Sequence, residues 1–186
     1  MQYIIAGIGG QGILFTSKIL GRIAIDKGLP VTGSEVHGMA QRGGSVISHF
    51  KVGNYKGPLI NLGHADVVMA FDQSEGIRNL SFLKDGGTFL VNTHDPSVLE
   101  NARLKKYMAD RRFNTCAFAG ADILNTHMGG KLLFLNVLIA GAACGMKIEG
   151  FDEEDRVISA LSELSPPQHI EANLKVFKLG IQAAVK

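Results

Sequence analysis

The densest group of chemically capable side chains in this sequence lies between residues 35 and 44. Four polar residues fall within eight positions and are followed by two glycines: Glu35, His37, Gln41, Arg42, Gly43 and Gly44. An arginine fork fits a carboxylate or phosphate, a histidine can transfer a proton or hydrogen-bond an oxyanion, and adjacent glycines can expose N–H groups. The segment is therefore a candidate anion-binding loop, with His37 as its candidate catalytic group. The alternative is a pair between Arg42 and Glu35 that only stabilises the loop.

A glycine-rich turn near the start of the chain is the second candidate site. It reads Gly7-Ile8-Gly9-Gly10-Gln11-Gly12, which fits the spacing G-x-G-x-x-G. An apolar stretch precedes it and a helical pattern follows, so backbone N–H groups and the positive end of a helix dipole should face a phosphate or carboxylate. A bound dinucleotide would also require an acid about 20 residues further on, and Glu35 lies near that distance. A tight turn needs small residues even when nothing binds, so binding of NAD or FAD remains one hypothesis among several.

Patterns for other chemistries are missing. The sequence has no G-x-S-x-G elbow and no H-x-x-x-H or H-x-x-E-H spacing, so we expect neither an activated serine nor a metal site. His49 is expected to face solvent from an alternating strand, and His127 to open an apolar helix. The two cysteines, Cys116 and Cys144, are too few for a disulfide framework or an iron–sulfur cluster. We expect them to be reduced, buried thiols of a cytoplasmic protein.

Composition narrows the class of protein further. The 186 residues, 46% hydrophobic and 19% charged, predict a single globular domain over residues 1–186. A net charge of +2 and the lack of a basic block with interleaved aromatics argue against nucleic-acid binding. The first residues already read as a strand, so no signal peptide is expected. The apolar run from Leu132 to Cys144 is shorter than the roughly 20 residues of a membrane span, so we expect no membrane association and interpret the run as a helix buried within its own domain.

The elements that must position these residues alternate between strands and helices. Strands are predicted over residues 2–7, 31–33, 45–52, 66–71, 88–92 and 114–119, with 34–44 as a loop. Helices are predicted over residues 12–26, 73–83, a stretch around 103–106, 127–145, 152–163 and 170–185. This alternation predicts an α/β fold, a three-layer Rossmann-like domain with a mostly parallel sheet flanked by helices.

The two motifs together resemble a known family. The glycine turn followed by Ser34-Glu-Val-His-Gly-Met-Ala-Gln-Arg-Gly-Gly44 is similar to the gamma subunit or gamma domain of 2-oxoacid:ferredoxin oxidoreductases. The stretch His37-Gly-Met-Ala-Gln-Arg42 most resembles the beta subunit of the indolepyruvate enzymes. The resemblance covers most of the chain, including Ala65-Asp-Val-Val and the Gly-Gly-Lys131 helix start.

The resemblance implies a subunit that is inactive alone. A large alpha subunit would carry thiamine diphosphate and iron–sulfur clusters, and no cofactor is expected on this chain by itself. The complex would decarboxylate an arylpyruvate oxidatively, transfer the acyl group to coenzyme A as a substrate, and reduce ferredoxin. The glycine turn and the Arg42 loop would face the partner's cleft and bind an anion, and the isolated chain could form a homodimer. Two alternatives stay open, a freestanding NAD(P)- or FAD-binding oxidoreductase and a purely structural assembly module.

Overall fold

A computed structural model describes residues 1–38 and 43–185, and in this part of the chain six strands form one sheet. The strands are β1 (Gln2–Ile8), β2 (Val31–His37), β3 (Ser45–Val52), β4 (Ala65–Ala70), β5 (Leu83–Asn92) and β6 (Asn114–Phe118). Their spatial order is β2-β3-β1-β4-β5-β6. The strands β1, β4, β5 and β6 are parallel neighbours, with Ile4 opposite Val68 in the β1–β4 register.

The strand β3 runs against the others and separates β1 from β2. It pairs antiparallel with β1, where Ile4 lies opposite His49, and antiparallel with β2, where Ser34 lies opposite the same histidine. The strands β2 and β3 therefore form a hairpin, and the first residue of β3, Ser45, lies opposite Ile8 at the carboxyl end of β1. This hairpin makes the sheet mixed, although most of its strands share one direction.

Seven α-helices of the described chain cover the two faces of the sheet. They are α1 (Ile13–Asp26), α2 (Gln73–Asn79), α3 (Ala102–Asp110), α4 (Gly120–Met128), α5 (Leu135–Gly145), α6 (Glu154–Leu164) and α7 (Ile170–Ala184). Alternate residues of β1 point into two separate cores, Tyr3 and Ile5 toward α1 and α4–α7, and Ile4 and Ala6 toward α2 and α3. The predicted α/β class with three layers is confirmed.

Three element boundaries differ from the sequence-based prediction. The strand β2 continues through the polar residues Ser34–His37, which pair with β3 instead of forming a loop. The helix predicted to reach Leu83 ends at Asn79 with a short 3-10 turn, and Leu83 already begins β5. The apolar helix predicted over 127–145 begins only at Leu135, as α5, and His127 does not open it: His127 lies in the last turn of the unpredicted helix α4, which ends at Met128 because Gly129 and Gly130 both have positive φ.

The helix α5 is buried within this chain, as predicted. Residues on all its sides are inaccessible to solvent, from Leu138 to Ala143. Its neighbour α7 crosses it in backbone contact at two glycines, Gly141 and Gly180, where an added Cβ atom would lie 2.1 Å from a carbonyl oxygen of the other helix. The apolar character of α5 therefore serves internal packing.

The side chain of His49 is buried, contrary to the expectation that it faces solvent. It is 5% exposed, its Nδ1 atom accepts a hydrogen bond from the Ile60 N–H group at 3.1 Å, and its ring lies edge-on to Phe82. Burial, with a smaller contribution from Lys51, lowers the pKa of His49 below its ordinary value. The alternation of β3 is real, but the segment around Ile60 covers the face on which His49 lies.

This burial predicts an acid-sensitive contribution to stability. The unfolded chain binds a proton at His49 near pH 6.5, whereas the folded chain resists protonation until a lower pH. The contribution of His49 to stability is therefore complete above about pH 6.5 and is lost as the pH falls from there toward the lower folded pKa, with a slope of at most about 1.4 kcal/mol per pH unit. Urea unfolding between about pH 7.5 and pH 5 measures it. We expect His49→Gln to show a shallower decline than the wild type, and equal slopes would contradict the assignment.

Candidate functional site

The glycine turn lies at the point of the sheet where strand order reverses. After β1 the chain passes to β2 and β3 on one side, and then to β4, β5 and β6 on the other. In open α/β sheets, ligands bind outside the carboxyl ends of strands at such a switch point. The turn that follows Ile8 and the start of α2 after Ala70 both lie at this edge.

The predicted turn residues divide into those that build the turn and those that line its open side. An added Cβ atom at Gly7 would lie 2.7 Å from the Cβ atom of Phe71, and the Oε1 atom of Gln11 accepts a hydrogen bond from the Ile8 N–H group at 2.8 Å. Gly7 and Gln11 are therefore structural. Gly10 has φ 105° and open space beside it, and Gly12 has φ 85° as the N-cap of α1. Both glycines occupy a left-handed conformation that other residues adopt at a cost.

The second motif contacts the first through backbone hydrogen bonds. The Gly9 N–H group donates to the Gly44 carbonyl oxygen at 2.8 Å, and the Gly43 N–H group donates to the Gly9 oxygen at 3.5 Å. The Gly38 N–H group closes the hairpin on Ser45 at 2.7 Å. Two motifs separated by about thirty residues thus form one local structure. Gln41 and Arg42 lie outside the described residues, so the role of Arg42 and its pairing with Glu35 both remain predictions.

A cleft of about 360 Å³ opens between the turn and the hairpin. Its lining is mostly backbone and apolar side chains: Gly9, Gly10, Gly12, Ile13, Leu14, His37 and Val46. His37 contributes the titratable side chain of this lining, is 54% exposed, and has its Nε2 atom 4.0 Å from the Oε2 atom of Glu35. Within the described part of the chain, the N–H group of Gly10 has no acceptor, whereas that of Gln11 donates to Ile8 at 3.1 Å. The cleft can therefore hold a small anion between backbone N–H groups and His37.

Glu35 lines a different depression. A groove of about 530 Å³ runs beside α1, with Leu14 common to both cavities. Its lining is largely apolar and includes Ile25, Val31, Phe50 and Leu164, with Lys18 and Glu35 among the polar residues. The structure therefore brings His37 to the glycine turn and directs Glu35 to the neighbouring groove.

This arrangement disfavours a dinucleotide at the turn. Because β3 lies between β1 and β2, Glu35 is two strand spacings, about 9.5 Å, from β1 instead of one. The Gly9 N–H group that would approach a pyrophosphate already donates to Gly44. The acid predicted for a ribose is thus displaced from the place where a Rossmann site needs it.

Other polar residues at this edge were missed by sequence reasoning. Glu75 on the first turn of α2 is 5% exposed, and its Oε2 atom accepts a hydrogen bond from the Ser45 hydroxyl at 2.6 Å. The amide of Asn92 joins the ends of two strands, donating to the Phe71 oxygen and accepting from the Gly120 N–H group. The sequence feature that could have identified these residues is the pair of acids, Asp72 and Glu75, close after a buried strand.

Two further features of residues 1–38 and 43–185 concern the grouping of potential metal ligands and the length of the helices. No group of three or more His, Cys, Asp or Glu side chains there is placed to bind a metal ion. The thiols of Cys116 and Cys144 are free; Cys144 is buried as predicted, whereas Cys116 is only half-buried, and burial raises the pKa of both. No helix of this region combines the length and apolarity needed to cross a bilayer.

Comparison with known proteins agrees with the resemblance seen in the motifs. Residues 2–183 match the family model described as pyruvate ferredoxin/flavodoxin oxidoreductase. The indolepyruvate oxidoreductase subunit IorB of Methanothermobacter thermautotrophicus is 34% identical over an alignment that covers 98% of this chain and 96% of that protein.

Solved structures share the fold. The gamma subunit of a keto/oxoacid ferredoxin oxidoreductase from Geobacter sulfurreducens superposes with a TM-score of 0.74 at 23% identity, covering 99% of this chain and 98% of that one. The 2-oxoglutarate:ferredoxin oxidoreductase of Magnetococcus marinus, solved with 2-oxoglutarate, coenzyme A and succinyl-CoA, matches with a TM-score of 0.75 at 18% identity. There the match covers 99% of this chain but 31% of that longer one. Because the family model matches residues 2–183, nearly the whole of this 186-residue chain, the chain belongs to the pyruvate ferredoxin/flavodoxin oxidoreductase family.

Proposed function

We propose that this chain is the small subunit, a single domain over residues 1–186, of a 2-oxoacid:ferredoxin oxidoreductase that acts on indolepyruvate or another arylpyruvate. The match to nearly the full length of an IorB subunit supports this role and this substrate class. In the proposed reaction the bond between the keto carbon and the carboxylate carbon breaks and carbon dioxide leaves. The acyl carbon bonds to the sulfur of coenzyme A, the thiol proton is released, and the two electrons reduce ferredoxin.

The cofactors of that reaction are proposed to reside on a large partner subunit. An iron–sulfur cluster usually needs four thiolates, and this chain has two cysteines. Both thiols have a raised pKa, which opposes the thiolate form that binds metal. The residues of this chain therefore do not fit a cluster, and thiamine diphosphate and iron–sulfur chemistry are assigned to the partner.

The contribution of this chain is proposed to be anion binding at the edge of the partner's cleft. The observation that supports this proposal is the pairing of Gly9 with Gly44 beside a cleft whose lining includes Gly9, Gly10 and His37. The anion would be a phosphate of coenzyme A or an acidic group of the partner. Closure of this surface on the partner would also exclude water from the reacting carbon.

Replacing Arg42 by alanine tests the proposal. A lost hydrogen bond between charged groups is worth about 1.5–3 kcal/mol, so Arg42→Ala should raise the KM for coenzyme A at least tenfold, about 1.4 kcal/mol, in the reconstituted complex. If the anion belongs to the partner, the dissociation constant of the complex should rise by that factor instead. Steady-state kinetics and a subunit titration distinguish the two sources.

Arg103→Ala is the matched control, because Arg103 is exposed on α3 on the other face of the sheet. It should change neither quantity. If Arg42→Ala assembles with the wild-type dissociation constant and keeps the wild-type KM and kcat, then this loop does not bind the anion. The remaining hypothesis would be an assembly module. Tight binding of NAD, NADP or FAD by the isolated chain would instead favour the dinucleotide hypothesis.

A further inference from the structure

Glu75 is a buried carboxylate that the proposed function does not use. Its side chain is 7% exposed, although its helix lies at the edge of the candidate site. The Oε2 atom accepts a hydrogen bond from the Ser45 hydroxyl at 2.6 Å, and the Oε1 atom accepts one from Arg78 at 2.6 Å. Removing a carboxylate from water costs several kcal/mol, and stability alone is often served as well by an apolar residue. The contact with Ser45 therefore calls for another role.

The bond from Glu75 reaches the base of the hairpin that forms the cleft. Ser45 is the first residue of β3 and lies opposite Ile8, the last residue of β1. It directly follows Gly44, whose carbonyl oxygen accepts the bond from Gly9. The Ser45 carbonyl oxygen also accepts the bond from Gly38 that closes the hairpin. Ser45 therefore accepts the hydrogen bond from Gly38 and is the chain neighbour of Gly44, which accepts the hydrogen bond from Gly9.

The helix that carries Glu75 is itself firmly placed. Asp72 caps it by accepting hydrogen bonds from the N–H groups of Ser74 and Glu75. Gly76 packs so closely on the sheet that an added Cβ atom would lie 2.7 Å from the Cβ atom of Ala70. Glu75 stands three residues after the N-cap, the position of the acid in a capping box, which normally bonds its own helix. Here its carboxylate crosses to another element.

We propose that Glu75 is a positioning residue, which through Ser45 holds Gly38 and Gly44 in place beside the glycine turn. Ser45, the first residue of β3, donates a short hydrogen bond to the buried carboxylate of Glu75. The helix that carries Glu75 is held in place by its cap and by its packing on the sheet. Loosening the Ser45 contact frees Gly44 and Gly38 together and opens the cleft. The contact itself is independent of the ligand, whereas its consequence for coenzyme A rests on the proposed function.

The test measures amide hydrogen exchange in the isolated chain for the wild type, Ser45→Ala, Glu75→Gln and the double variant. We expect exchange of the Gly9 and Gly38 amides to accelerate about tenfold in each single variant, and little further in the double variant because one bond is lost in all three. The Phe71 amide, which donates to the Ala6 oxygen at 2.8 Å directly after the end of β4, is the reference for global unfolding and should be unchanged.

Ser97→Ala is the control, because Ser97 also donates to a carboxylate, that of Asp95, at 2.6 Å, but on an exposed turn. In Ser97→Ala, the exchange rates of the Gly9 and Gly38 amides should equal those of the wild type. Unchanged exchange at these amides in Ser45→Ala and Glu75→Gln, or equal acceleration at Phe71, would overturn the positioning role.

In the complex, Ser45→Ala and Glu75→Gln should raise the KM for coenzyme A with kcat nearly constant. Faster local exchange without a KM change would uphold the positioning role and refute coenzyme A as the ligand.

Discussion

Gly180→Ala should lower the free energy of unfolding by about 3 kcal/mol, at the upper end of the usual cost of overpacking a core. An added Cβ atom would lie 2.1 Å from the Leu138 oxygen and 2.9 Å from the Ala142 nitrogen, both of them backbone atoms of α5. Backbone in a buried helix cannot rotate away, so α5 and α7 must separate along their contact. The better helix propensity of alanine offsets only about 1 kcal/mol of this cost.

Urea unfolding with a shared m-value measures the change. Gly141→Ala should be similarly costly, because its Cβ atom would lie 2.1 Å from the Phe177 oxygen. Gly57→Ala is the control, since nothing lies within 4 Å of that position, and its effect should stay within about 0.5 kcal/mol. If Gly180→Ala proves as stable as Gly57→Ala, the close crossing of α5 and α7 is not what holds these helices together.

Much of the layered fold could be predicted from local sequence. The apolar residues of β1 and β4 give continuous buried runs because helices cover both of their faces. The all-round apolar character of α5 indicated burial, which its packing on α7 confirms. The end of β2 was missed because Ser34–His37 has the polarity of a loop. These residues become a strand through pairing with β3, a partner that no local pattern specifies.

The candidate site likewise combines features that the local sequence predicts with features that depend on contacts between distant residues. The spacing of Gly7–Gly12 predicted a strand–turn–helix unit, and φ angles of 105° at Gly10 and 85° at Gly12 explain two of its glycines. The insertion of β3 between β1 and β2 is a matter of topology, and it moves Glu35 away from the turn. The bond between Ser45 and Glu75 joins residues 30 positions apart, so sequence spacing could not reveal it.

Gly12→Ala is expected to damage both the stability of the chain and the shape of the cleft. Alanine at φ 85° costs about 1–2 kcal/mol, and its Cβ atom would lie 2.5 Å from the Nδ2 atom of Asn136. The start of α1 must then move away from the start of α5, which deforms the cleft from one side. We expect stability to fall by about 2–3 kcal/mol and the KM for coenzyme A in the complex to rise at least tenfold, about 1.4 kcal/mol.

Two further variants separate the causes of that loss. Gly10→Ala meets the same backbone strain at φ 105° but has nothing within 4 Å, so it should cost only the conformational part. Gly12→Ala combined with Asn136→Ala removes the 2.5 Å contact with the Nδ2 atom but keeps the Cβ atom of residue 136 at 3.0 Å, so it should recover most of the stability difference from Gly10→Ala. If the second substitution restores nothing, backbone conformation alone sets the turn. The contact between the starts of α1 and α5 would then have no part in shaping the cleft.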